Sequence, residues 1–86
     1  MDVRVIAKKV LGDRLDIYYL NKSEPKTSQL YLAIFNKNHK PSLTVYNFDN
    51  KRYEEVTALF SDEFIQDLSD VLLHQADLIV QQAEAL

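Results

Sequence analysis

Acidic and histidine side chains with a spacing suited to a metal ion lie near the C-terminus of this 86-residue chain. Asp70, His74 and Asp77 are four and three residues apart, so on a helix they share one face, and carboxylates with an imidazole can bind zinc. The same spacing is typical of the solvated stripe of an amphipathic helix, which is far more common than a metal site. We therefore expect no metal centre and no cofactor.

Other residue types with catalytic potential have simpler structural explanations. The pairs Glu54–Glu55 and Asp62–Glu63 could supply acid and base groups, but adjacent residues on a helix point in different directions, and acids favour helix starts. Ser61 lacks the surroundings of a nucleophile elbow and suits a helix N-cap. A single glycine excludes a phosphate-binding glycine loop, and the absence of cysteine excludes a thiolate site. We expect a protein that is not an enzyme.

The charges are strongly segregated along the chain. Residues 1–52 carry all ten basic residues and five acidic ones, giving +5. Residues 53–86 carry eight acidic residues and no basic one, giving −8, and together the two segments make the net −3. The two halves either attract each other within one fold, or the basic half faces a polyanion and the acidic half is turned away from it.

Alternating apolar residues predict an antiparallel four-stranded meander within residues 1–49, joined by short polar connections and a Gly12–Asp13 turn. The predicted strands are residues 3–10, 14–20, 29–35 and 42–48. Residues 50–60 are predicted to form a short helix or helical turn, and residues 61–86 a long helix capped by Ser61. The chain is thus expected to be one α+β domain, residues 1–86, with the long helix packed on an aliphatic sheet face.

The two faces of the predicted sheet differ in character. The face expected to pack on the helix is aliphatic: Val3, Val5, Ala7, Leu15, Ile17, Leu30, Leu32, Ile34, Leu43 and Val45. The opposite face is aromatic and basic: Arg4, Lys8, Tyr18, Tyr31, Phe35, Tyr46 and Phe48. An apolar patch of that size is larger than a small monomer usually exposes, so we expect it to be occupied.

Single-stranded nucleic acid is the most specific occupant, because bases stack on aromatic rings while basic side chains neutralise phosphates. The expected DNA- or RNA-binding residues are Arg4, Lys8, Tyr18, Tyr31, Phe35, Lys37, Tyr46 and Phe48. A protein partner or self-association through the same face is the alternative, and the chain's own residues 51–60 are a third occupant. In a further alternative, the acidic helix presents phosphate-like charge and inhibits a nucleic-acid-binding protein.

The predicted order, four antiparallel strands followed by a long helix in a dimer, is similar to that of the whirly-type single-stranded DNA-binding transcription cofactors. The similarity is one of element order, which by itself does not establish a function.

The apolar surface of the predicted long helix is too wide for one sheet face to cover, and the helix is longer than the strands. About 25 helical residues span roughly 37 Å, whereas an eight-residue strand spans roughly 26 Å. The turns after about Ala76 should project and pair in a homodimer, unless they fray or the short helix covers them. The expected dimer interface consists of Leu78, Ile79, Val80 and Leu86. Charges interrupt every apolar run at the N-terminus, so we expect no membrane segment and a cytoplasmic protein.

Overall fold

A computed structural model describes residues 2–21 and 29–85, without the side chains of residues 80–85. Within these residues the chain forms five strands, a single 3₁₀ turn at Thr57–Leu59 and one long helix. The elements are β1 (Val3–Leu11), β2 (Arg14–Asn21), β3 (Gln29–Asn36), β4 (Ser42–Asn47), β5 (Arg52–Glu55) and α1 (Asp62–Ala85).

The strands form one antiparallel sheet in the order β1-β2-β3-β4-β5, so the predicted α+β meander is confirmed. The difference is a fifth strand, β5, within the segment predicted to be a short helix or helical turn; the helical part of that segment is limited to the 3₁₀ turn. Asn47 explains the reversal, because its Oδ1 accepts a hydrogen bond from the Asp49 N–H at 2.9 Å and closes the turn between β4 and β5. The loop predicted between β2 and β3 falls mostly outside the described residues.

Helix α1 begins where the sequence predicts. The Ser61 hydroxyl accepts a hydrogen bond from the Phe64 N–H at 3.1 Å, which caps the first turn. Ile65, Leu68 and Leu72 lie at helical spacing and are buried against the sheet. The side of α1 that packs against the sheet is therefore its apolar stripe, as the sequence predicts.

Gln75 fixes α1 to the edge strand β1. Its Oε1 accepts a hydrogen bond from the Val5 N–H at 2.9 Å, and its Nε2 donates to the Val3 carbonyl, also at 2.9 Å. One side-chain amide thus satisfies both a donor and an acceptor on the strand edge. Both bonds are long-range, so they set the position of the helix relative to the sheet.

Strand β3 faces the opposite way from the prediction. Its pairing sets Ala33 beside Ile17 and Leu43, two residues of the core under α1. Tyr31 and Phe35 consequently pack on the helix side. The β3 residues predicted to face the helix therefore point away from it, because side chains alternate along a strand. These residues are Leu30, Leu32 and Ile34.

A β-bulge reverses the second half of β1. The register shifts between Val5 and Ala7, so that Ala7 pairs with Tyr18 and Lys8 pairs with Ile17. Ala7, predicted to face the helix, is therefore exposed on the other side. Lys8, predicted to lie on the aromatic face, is on the helix side.

Candidate interaction surface

The sheet face turned away from α1 is called the outer face below. Its apolar residues are Ala7, Leu11, Tyr18, Leu20, Leu30, Leu32, Ile34, Tyr46 and Tyr53, all placed there by the strand register. Its polar residues are Arg4, Lys9, Arg14, Asp16, Asn36, Ser42, Thr44 and Glu55. No element among residues 2–21 and 29–85 covers this face, since Val56 and Phe60, which follow β5, pack against the core on the helix side.

One residue shows how closely the outer face is packed even without a cover. Leu32 is only 7% exposed although it lies on the face away from the helix. It is flanked in the sheet by Tyr18 and Thr44, whose side chains stand beside it. The outer face is thus apolar and closely packed at its centre.

Aromatic rings form a cluster on the β4–β5 side of the outer face. The ring centroid of Tyr46 lies 4.9 Å from that of Phe48 and 5.1 Å from that of Tyr53, both in edge-on geometry. Burial, and to a lesser extent Tyr18 and Tyr46, raise the pKa of Tyr53. We name Tyr46, Phe48 and Tyr53 the ring cluster. Tyr18 lies on the same face two strands away, on β2.

Charges on the outer face are few. Asp16, 3% exposed, receives hydrogen bonds from Arg14 Nε at 2.7 Å and Nη2 at 3.1 Å, and the same pairing raises the pKa of Arg14. In the described part of the chain, Arg4 and Lys9 on β1 form no ion pair. Glu55 on β5 accepts a hydrogen bond from the Ser42 hydroxyl at 2.8 Å.

The structure brings together only half of the predicted nucleic-acid-binding set. Arg4, Tyr18, Tyr46 and Phe48 lie on the outer face or at its margin. Tyr31, Phe35 and Lys8 belong to the helix side, for the reasons given above. Lys37 is exposed in the β3–β4 turn.

Tyr31 contributes to a separate cleft between the sheet and the start of α1. Its ring stacks on Tyr19 with centroids 5.2 Å apart, and Phe60 stacks on Phe64 with centroids 5.0 Å apart. The two ring pairs line a cavity of about 470 Å³. Burial, and to a lesser extent Tyr31, raise the pKa of Tyr19. The cleft is lined mainly by apolar side chains and brings no acid–base pair together.

Both edges of the sheet are protected against strand addition. On β1, Gln75 occupies the Val3 and Val5 backbone groups and the bulge interrupts the edge. On the other edge, β5 has four residues, three of them charged. Short, charged or bulged edges resist pairing with another chain. The outer face, rather than an edge, is therefore the open surface of the sheet.

The predicted dimer interface at the end of α1 is only partly described. Leu78 is 45% exposed, whereas Ile79 packs against the core. Val80 and Leu86 lie outside the described side chains. The exposed acids of the helix, Asp67, Asp70 and Asp77 among them, lie on the side of the molecule opposite to the outer face.

Among the described residues, no group of three or more acidic, cysteine or histidine side chains is arranged to hold a metal ion. Within the same residues, no helix combines the length and apolar character needed to cross a membrane.

Sequence reasoning missed several residues of the outer face. The alternation pattern predicts Leu30 and Ile34 in the core, because both faces of β3 are apolar and alternation does not distinguish them. The sequence pattern predicts Tyr53 in a helical segment, although the turn residues before it are also compatible with a hairpin. No family model, curated protein or solved structure matches the chain.

Proposed function

We propose that this protein is a non-catalytic binding module that docks another protein surface on its outer face. The observation that supports this proposal best is the partly exposed apolar surface of Leu20, Leu30 and Ile34 on the same face as the ring cluster. The core under α1 is complete on the other side of the sheet, so this second apolar face is not needed for it. Aromatic and aliphatic side chains with few charges are typical of the centre of a protein interface.

The charge pattern supports a protein partner over a polyanion. A nucleic-acid platform needs cations along the path of the backbone. Among the described residues on the strands of the outer face, only Arg4 and Lys9 supply cations outside the Arg14–Asp16 pair, and both lie on one edge strand. Aliphatic side chains such as Leu20 cannot stack on bases but bury readily against another protein.

Site-specific photocrosslinking tests this proposal. A benzophenone amino acid would replace Tyr46 on the outer face, or His74 on the exposed helix surface as the matched control, in cells that produce the protein natively. The proposal predicts protein adducts at position 46 and none at position 74, and loss of the adduct when Leu20→Glu is added. No adduct at position 46, or equal yields at both positions, would overturn it.

Single-stranded nucleic acid remains the second candidate because of the ring cluster, which offers stacking surfaces on the same sheet face as the β1 cations. Fluorescence anisotropy with a labelled, mixed-sequence single strand and a duplex control tests it. Salt-sensitive binding that prefers the single strand and is lost in Tyr46→Ala supports this candidate. No binding at low salt removes it.

A further inference from the structure

Charge is distributed asymmetrically across the outer face. The β1 end carries Arg4 and Lys9, and the β5 end carries Glu55, all exposed. Between them the strands present mostly apolar and hydroxyl side chains. A face that is positive at one edge and negative at the other can be complementary to itself.

From this complementarity we propose that the protein docked on the outer face is a second copy of the chain, an inference that rests on the proposed function. In the proposed dimer a two-fold axis runs along β3, parallel to the strands, between two sheets packed face to face. This rotation sets β1 of each copy over β5 of the other. Both oppositely charged edges are then brought together, and each contact occurs twice.

One row of residues that crosses all five strands shows how the faces would fit. The register aligns Ala7, Tyr18, Leu32, Thr44 and Glu55 in that order. Rotation about β3 sets Leu32 of one copy against Leu32 of the other. It also sets the large Tyr18 ring of each copy over the smaller Thr44 of the other. Glu55 then meets the small Ala7. The neighbouring outer-face residues of β1, on either side of Ala7, are the two cations.

The other in-plane axis, perpendicular to the strands, is disfavoured by the same charges. It would set β1 over β1 and β5 over β5, so that Arg4 approaches Lys9 of the second copy and the two Glu55 carboxylates approach each other. Like charges placed opposite one another oppose association. The charge pattern therefore selects both the partner and its orientation.

The size of the face sets the expected affinity. Five strands about 4.8 Å apart and about six residues long cover roughly 24 by 20 Å, so two faces would bury about 1,000 Å² in total. That is close to the lower limit of specific interfaces, so a dissociation constant in the micromolar range or weaker is expected.

Charge reversal with sedimentation equilibrium tests the proposal. The variants are Arg4→Glu/Lys9→Glu, Glu55→Lys and the triple combination, each first confirmed as folded by circular dichroism. Each partial reversal should weaken the dimer by about tenfold or more, because the altered contact occurs twice, and the triple variant should restore it. Leu78→Glu on the helix is the control and should leave the dimer unchanged.

Each outcome has a defined meaning. Monomeric wild-type protein at every concentration, failure of the triple variant to recover, or loss of the dimer in Leu78→Glu would overturn the second-copy proposal. If photocrosslinking at position 46 then still captures a different protein, the proposed function stands without self-association. If position 46 forms no adduct either, the protein-binding function fails as well.

Discussion

The two hydrogen bonds of Gln75 should make this side chain much more important for stability than its type suggests. In Gln75→Ala, the Val5 N–H and the Val3 carbonyl lose partners 2.9 Å away in a partly buried position. Each such bond contributes about 0.5–1.5 kcal/mol, so the loss should be about 1–3 kcal/mol. A chain of this size has a total stability of roughly 4–13 kcal/mol.

Urea denaturation followed by circular dichroism measures this loss. With a slope of about 1 kcal/mol per molar urea, the midpoint of Gln75→Ala should fall by about 1–3 M. Gln66→Ala is the matched control, because Gln66 lies on the same helix and makes one exposed hydrogen bond, to Asp70 at 3.1 Å. That control should cost about 0.2–0.5 kcal/mol. Equal effects of the two substitutions would refute the role given to Gln75.

A charged variant sharpens the same test. In Gln75→Glu the introduced carboxylate can accept from Val5 but has no proton to donate to Val3, so its neutral form is favoured in the fold and its pKa is raised. A carboxyl whose folded pKa exceeds its unfolded value contributes stability below the unfolded pKa and loses it as pH rises through the folded pKa. Gln75→Glu should therefore approach wild-type stability at acidic pH and be weakest at neutral pH. A stability difference from wild type that does not change with pH would contradict the proposed bonding.

Three further effects follow from side chains on the helix side and at the end of the sheet. Burial raises the pKa of Tyr19, so the contribution of its neutral phenol to folding stability is complete below the unfolded pKa of about 10 and is lost as pH rises further. Tyr19→Phe should remove this alkaline loss of stability, measured as urea midpoints against pH. An unchanged alkaline loss in the variant would contradict the prediction. Hydrogen bonding, chiefly from Asn50, lowers the pKa of Glu54, so the contribution of its carboxylate to folding stability is present above the ordinary pKa of 4.5 and is lost as pH falls through the folded pKa. NMR titration of the Glu54 carboxyl should therefore give a midpoint below 4.5. A midpoint at or above 4.5 would count against the hydrogen bond. The Thr57 hydroxyl accepts from the Leu43 N–H at 2.8 Å, so Thr57→Val should lose about 1–2 kcal/mol in urea denaturation while Thr57→Ser loses less; similar losses would refute this.

The sequence predicts best where one face of an element is clearly polar. Helix α1, capped by Ser61, is of this kind, and its apolar stripe packs on the sheet as predicted. On β2, Leu15 and Ile17 also face the helix as predicted. The face of β3 could not be predicted, because Leu32 and Ala33 belong to sets that are both apolar, and only pairing with neighbouring strands decides between them.

Two other features depend on tertiary structure. The bulge at Ile6 carries no glycine or other turn signal, so the reversal of Lys8 is visible only in the register with β2. Strand β5 is mostly charged and lacks alternation, and it is extended because Tyr53 pairs with Tyr46 of β4. The outer face was therefore anticipated as aromatic, but its aliphatic centre and its acidic edge were not.

Chemical crosslinking tests most directly whether the outer face meets a second copy of the chain. The chain has no cysteine, so Ile34→Cys on the outer face and Leu78→Cys on the helix each introduce a single thiol. Ile34 lies beside the proposed axis and should face its own copy across sheets about 10 Å apart, a distance that a short bismaleimide spans. We predict a covalent dimer for Ile34→Cys and none for Leu78→Cys. A dimer formed only through Leu78→Cys, or through neither thiol, would contradict it.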